Sequence, residues 1–187
     1  MRIFSRKKRP MHLGSFPMEK LKRVDQPTTL ITDKVRRVPK RADGFVRAFF
    51  GDLGPKPKTE IKRFITKNPL NAAIGHLHWA QVPIHKGEPA AEKAPIPNDP
   101  QALTEHIKSL AYFMDADMVG ICEMPDYAWY SHDIKGNPME AKHKYAIVVV
   151  IDQGWDTFEA SSGDDWISGA QSYRAYLNGS TCANIVA

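Results

Sequence analysis

A chain of 187 residues, 42% apolar and 25% charged, is long enough for one domain with a real core, or for one domain plus an extension. No stretch approaches the 18 or so consecutive apolar residues of a membrane-spanning helix, and the basic start (Met1 to Pro10) is not followed by the apolar run of an export signal. The net charge of +5 hides an asymmetry, because residues 1–70 hold 19 Lys/Arg against 6 Asp/Glu and residues 71–187 hold 7 against 15.

Met1 to Pro10 reads as a disordered arm. Residues 11–43 carry scattered apolar positions without a period, and Pro17, Pro27 and Pro39 interrupt any long helix, so an extended arm with short local elements is expected. Phe45 to Phe50 reads as a helical turn or a short strand, and Gly51 to Pro55 as a turn. A short helix is predicted from Thr59, its cap, to Thr66, and another from Asn68-Pro69-Leu70 to about Leu77. Pro83 to Pro100 contains five prolines and reads as a linker. The expected organisation is therefore a basic N-terminal arm with short helices over 1–82, a Pro-rich linker over 83–100, and a compact segment over 101–187.

Within that segment Asp99-Pro100 supplies an N-cap and a proline at the first helical position. Leu103, Ile107, Leu110 and Met114 then form an amphipathic stripe. Asp117 to Glu123 reads as a strand with one face buried. A loop rich in aromatics runs from Pro125 to His143. Seven consecutive apolar residues follow between Lys144 and Asp152, mostly β-branched, and predict a strand buried on both faces. Ser161 to Asp164 offer helix caps, and Trp166, Ala170, Tyr173, Leu177 and Ile185 mark one face of a long helix. Its end has no Gly cap, no basic last turn and no proline stop, so a chain cut within a longer domain is expected, with apolar surface exposed near Ala183 to Ala187. The order helix, strand, long loop, strand, helix indicates an α/β or α+β layer structure.

The basic third has two readings: contact with nucleic acid, an anionic membrane or an acidic partner, or wrapping around the acidic remainder of its own chain. The second is favoured, since no aromatics punctuate the basic clusters as stacking platforms would. His76, His78 and His85 lack a neighbouring carboxylate or cysteine pattern and read as structural histidines, not a metal site. Cys122 and Cys182 are too few for a disulfide framework, fit a reducing cytoplasmic location, and read as buried small hydrophobes. No dinucleotide, phosphate-loop, nucleophile-elbow or zinc-protease motif occurs. Trp129, Tyr130 and His132 form a polar–aromatic loop that would either line a flat apolar ligand site, with His132 and Tyr130 moving a proton, or simply cover a sheet edge; the second is favoured. Tyr173 and Tyr176 read first as core residues and second as part of such a pocket. Gly169 and Gly179 weaken their helix by roughly 1 kcal/mol each relative to Ala, which close approach by a backbone or a large cofactor would offset. No catalytic residue is assigned.

Three segments carry a family likeness: Leu110-Ala-Tyr-Phe with Ala116-Asp-Met-Val-Gly-Ile-Cys; His143-Lys-Tyr-Ala-Ile-Val-Val-Val-Ile-Asp; and Ser168-Gly-Ala-Gln-Ser-Tyr-Arg-Ala-Tyr with Ala183-Asn-Ile-Val-Ala. Phe16-Pro17-Met18-Glu19 and Phe45 to Gly54 add to it. Together they resemble the N-terminal region of corrinoid-dependent reductive dehalogenases of the cytoplasmic catabolic type, and more distantly epoxyqueuosine reductases. The resemblance implies a partial nitroreductase-like sheet with flanking helices, and membership of a system that uses cobalamin and [4Fe-4S] clusters to remove halide from organohalides. The cysteine-rich ferredoxin-like segment and the region carrying the family's catalytic Tyr and Lys/Arg pair have no counterpart here. The segment is thus expected to be either a degenerate first copy of the corrinoid-binding layer or the start of the only copy, inactive alone. Its expected partner is the remainder of a longer dehalogenase or a complementary subunit. The alternatives are a non-catalytic scaffolding domain that docks a partner through the basic arm, and a flavin nitroreductase-like enzyme.

Overall fold

The computed structural model describes residues 22, 24–26, 29, 31–66, 68–86, 91–154, 157, 159, 161 and 167–187. The arm from Met1 to Pro10, the caps between 162 and 164, and Trp166 lie outside the described residues. The chain divides into two units whose segments alternate along the sequence: Ile65–Ile121 with Ile147–Ala187, and Lys22–Phe64 with Cys122–Ala146.

In the second of these units, Asp43 decides the ambiguity at Phe45 to Phe50. Its carboxylate accepts from Phe45 N at 3.0 Å and Val46 N at 3.2 Å, and so caps helix α1, Gly44–Phe50. Gly51 closes α1 in the left-handed conformation, φ 88°, which a residue with a Cβ adopts at a cost. Helix α2 runs Pro55–Thr66, four residues longer at its start than predicted. Proline is at home in a first helical turn, where its missing N–H forfeits no bond. Thr59 is accordingly not the cap: its hydroxyl donates to Pro55 O at 3.1 Å from within the helix.

The first unit holds α3 (Pro69–Gln81), α4 (Pro100–Phe113) and α5 (Ile167–Val186); α4 and α5 supply helical residues of the core, and α3 packs along α5. Helix α3 continues past Leu77, and Val82–Lys86, where the linker was expected to begin at Pro83, winds into a 3₁₀ turn. Asp99 caps α4 as predicted, accepting from Gln101 N at 2.9 Å. The other end of α4 is a Schellman closure: Ala116 N donates to Ala111 O at 3.0 Å and Asp115 N to Tyr112 O at 3.2 Å. Asp115 occupies the left-handed position, φ 67°, one of the few non-glycine types that tolerates it. This turn aims the chain into strand β1, Met118–Glu123.

The core consists of Ala111, Ala116, Val119 and Cys182, with Tyr112, Met114, Val149 and Val186 packed against it. Small side chains at its centre let α4 and α5 approach closely, and the Cys182 Sγ lies 3.8 Å from Ala111 O. Cys122 differs from expectation. It is exposed, because it sits on the face of β1 opposite the buried Val119. Strand β2, Tyr145–Val150, pairs with β1 in a two-stranded antiparallel sheet, with Asp117 N to Val150 O at 2.9 Å at one end and Met124 N to Lys144 O at 2.8 Å at the other.

The prediction that β2 is buried on both faces is not met. Ile147, Val148 and Val150 are 41%, 51% and 42% exposed. Burial on two faces needs a layer against each face of a sheet, and of the residues of β2 only Val149 packs against the core cluster. The face assigned to α5 holds for Ala170 and Tyr173, Leu177 is half-buried and Ile185 is exposed; Tyr176, expected in the core, is exposed as well. The fold is mixed α/β. No helix among the described residues is long and apolar enough to cross a membrane.

Candidate functional site

The polar–aromatic loop belongs to the second unit and is fixed by the basic segment before α1. Arg37 donates to three carbonyls: Tyr130 O at 2.7 Å, Met139 O at 2.5 Å and, through Nε, Trp129 O at 3.4 Å. Two backbone bonds run beside it, Ser131 N to Val38 O and Lys40 N to His132 O, both 2.8 Å. Tyr130 gives its hydroxyl to Asp43 at 3.2 Å, and Lys40 Nζ lies 3.3 Å from the same hydroxyl and 3.2 Å from Asp43. The Val46 amide, with Lys40 and Tyr130 adding to it, holds the Asp43 carboxyl below the usual carboxylate range. Burial alone would depress Lys40; the bonds to Tyr130 and Asp43 outweigh it and raise its pKa.

Trp129 stacks on His143, ring centroids 5.8 Å apart. His132 is exposed, its Nδ1 3.0 Å from the Ser131 hydroxyl. Asp133 closes the following turn by accepting from the amides of Lys135 and Asn137. Tyr130 and its neighbours are thus held by capping and stapling bonds. Arg41 likewise pairs with Asp52 through both guanidinium nitrogens.

Tyr173 belongs to the first unit, so the four sequence-predicted site residues divide between the units, three against one. Tyr173 is 7% exposed and burial pushes its phenol up. It forms an aromatic group with Tyr176 and His78, with ring centroids 5.6 to 6.3 Å apart. His78 Nδ1 lies 3.2 Å from the Ser180 hydroxyl, and burial, with some help from His85, lowers its pKa. Beside this group an open groove of about 580 Å³ runs between β2 and α5, lined by His85, Val149, Ile151, Tyr176, Gly179 and Ala183 among others. Gln171 holds the turn that follows β2, donating to Gly154 O at 2.9 Å and to Gln153 O. Asp117 accepts from Asp152 N at 2.7 Å at the same turn.

Sequence reasoning missed the groove and the Arg37 staple. The groove had a legible signal: Ser172, Ala175, Gly179 and Ala183 recur at helical spacing as a stripe of small residues. Nothing in the sequence distinguishes Arg37 from its neighbour Arg36. Gly179 is no deep cradle, since a Cβ there would meet Ile151 Cγ1 at an ordinary 3.6 Å.

Two cysteines do not make the four-thiolate set of a [4Fe-4S] cluster, and among the described residues no group of three or more His, Cys, Asp or Glu could hold a metal. The residues present do not fit that group. The groove is of drug-ligand size, too small to enclose a cobamide.

No family model and no curated protein matches the chain. Solved structures do. The catabolic reductive dehalogenase NpRdhA is 45% identical, with a TM-score of 0.79 over 96% of this chain and 27% of that one. The same protein in complex with 3-bromo-4-hydroxybenzoic acid gives the same values. A further structure, described as suggesting a mechanism for B12-dependent dehalogenation, matches equally over 26% of its chain. Identity of 45% over 96% of the chain goes beyond a shared fold and points to a shared family. The chain belongs to the corrinoid-dependent reductive dehalogenase family, and spans about a quarter of the length of the relatives it matches.

Proposed function

We propose that this chain is the N-terminal part of a cytoplasmic reductive dehalogenase-like oxidoreductase, and that it does not catalyse alone. The observation that carries the reading is 45% identity over 96% of the chain to enzymes of which it spans 26–27%. In the complete enzyme cobalamin and [4Fe-4S] clusters supply the redox chemistry that removes halide from an organohalide. This chain's two cysteines leave cluster ligation to other polypeptide. Its own contribution is scaffold: part of a nitroreductase-like layer from β1, β2 and α5, and the aromatic loop that Arg37 fastens. Neither Trp129, Tyr130, His132 nor Tyr173 is given a catalytic role.

Incubated with cobalamin, reduced donor and 3-bromo-4-hydroxybenzoic acid, the chain should release no bromide, and release would refute the reading that it is inactive alone. Co-expression with the remaining three quarters of the 45%-identical dehalogenase should restore release; failure of a folded, co-purifying pair to do so would refute the dehalogenase reading. In the scaffolding alternative a partner docks through the basic arm, of which Arg37, Lys40 and Arg41 already bond within the chain to Trp129, Tyr130, Met139, Asp43 and Asp52. A salt-dependent association with nucleic acid or an acidic protein would support it.

A further inference from the structure

Helix α1 and the turn after it expose large apolar side chains next to one another. Phe49 is 60% exposed, Phe50 48% and Leu53 44%, and the two rings meet edge to face with centroids 5.6 Å apart. Single exposed apolar residues are ordinary on a protein surface, whereas adjacent ones mark a contact site. The element that carries the rings is fixed at both ends, by the Asp43 cap and by Gly51 in the left-handed conformation. Cations border it. The Arg41 guanidinium lies over the Phe50 ring, 4.3 Å from its centroid. The Lys58 side chain runs beside Gly51, its Cδ 3.2 Å from where a Cβ there would stand. Lys56 and Lys58 are exposed, and among the described residues neither is bonded to a carboxylate. Residues 22–64 hold twelve Lys/Arg against five Asp/Glu, and the two carboxylates that flank α1, Asp43 and Asp52, already pair with Lys40 and Arg41.

We propose that this face docks on an anionic lipid surface, with Phe49, Phe50 and Leu53 entering the headgroup region and Lys56 and Lys58 meeting lipid phosphates. A few apolar side chains or a few exposed cations each give weak, reversible attachment, and the two together hold a protein at an interface. Charge selects this occupant. The cation excess calls for an anionic partner and the adjacent rings for an apolar one, and an anionic bilayer offers both in that order, phosphates outside and acyl chains beneath. Arg37, Lys40 and Arg41 bond within the chain, which leaves Lys56 and Lys58 for the lipid. The attachment is peripheral and needs no spanning helix. In a dehalogenase, the function proposed above, it would hold the enzyme against the acyl layer in which apolar organohalides concentrate.

The test is co-sedimentation of the purified chain with phosphatidylcholine vesicles that contain about a third phosphatidylglycerol, against vesicles of phosphatidylcholine alone. Binding to the anionic vesicles should be at least about tenfold tighter, and should fall as salt rises from about 0.1 M to about 0.5 M. Phe49→Ala with Phe50→Ala, and separately Lys56→Glu with Lys58→Glu, change exposed positions. Each chain should keep its circular dichroism spectrum and lose about tenfold or more in vesicle binding. Unchanged binding by the double-alanine chain would overturn the proposal, because attraction through other basic residues, such as those of Met1 to Pro10, would then suffice. Equal binding to both kinds of vesicle, or none by a folded chain, would overturn it as well. Retention on an acidic polypeptide without vesicle binding would replace the lipid with a protein partner. The pair formed with the rest of the 45%-identical dehalogenase should still bind. Loss of binding on pairing would overturn the proposal, since the face would then be a contact within the enzyme. Vesicle binding by a pair that releases no bromide would support this inference while refuting the dehalogenase reading; bromide release without vesicle binding would do the reverse.

Discussion

Replacing Arg37 by Ala should loosen the aromatic loop by an amount the structure bounds. One terminal nitrogen donates to Tyr130 O at 2.7 Å and Met139 O at 2.5 Å, while the bond from Nε to Trp129 O is long at 3.4 Å. A hydrogen bond from a charged donor contributes about 1.5–3 kcal/mol net when buried. Arg37 is half-buried, so water competes for the released carbonyls, and the two short bonds together are worth about 2–3 kcal/mol. If the loop opens locally, that corresponds to roughly 30- to 150-fold faster exchange of the amides it protects. The reporters are Ser131 N, bonded to Val38 O, and Lys40 N, bonded to His132 O. Arg37→Lys keeps the charge but loses the planar fork, and should recover less than half of the effect. Amides of α4, in the other unit, serve as the control. A change below about threefold at Ser131 and Lys40 would refute the staple. An equal change throughout α4 would show that Arg37 acts on global stability and not on the loop.

Cys122 and Cys182 should behave as two different thiols. The exposed Cys122 should react promptly with a disulfide reagent, while Cys182, fully buried and with its pKa raised by burial, should react only after denaturation; two prompt thiols would refute the packing of α5 on Ala111. The neutral His78 should make stability depend on pH. Its folded pKa lies below the ordinary value of 6.5, so the unfolded chain takes up the proton first, and stability is complete above that value and falls as pH drops through it toward the folded pKa. Melts between pH 5 and 8 should show this dependence and its loss in His78→Gln; an unchanged slope would refute it. Gly179→Ala should be neutral to stabilising, by up to about 1 kcal/mol of helix propensity, because Ile151 accommodates the added Cβ at 3.6 Å; destabilisation in a urea titration would show the contact to be tighter.

How much of this was legible from the residues alone varies by element. Asp99-Pro100 announced its helix correctly because capping is a local event: the carboxylate and the amide it satisfies are two residues apart. The strand at 145–150 was legible from its β-branched run, and the reductive dehalogenase likeness from three segments that 45% identity supports. Burial was another matter. The run of Ala-Ile-Val-Val-Val states that these side chains prefer to be covered, and says nothing of whether this chain carries the cover. Cys122 and Cys182 look alike in sequence, yet one faces out from β1 and the other meets Ala111, because strand alternation and helix packing assign the faces. Arg37 is one cation in a basic stretch, and its three carbonyl partners lie more than 90 residues away. The sequence by itself determined the local elements, the family and the want of cluster ligands, all of which depend on residue identity and near neighbours. Tertiary structure decided which apolar surface stays open, which cations are spent on carbonyls, and that Tyr173 and the Trp129 loop fall in different units, since those depend on contacts between distant segments.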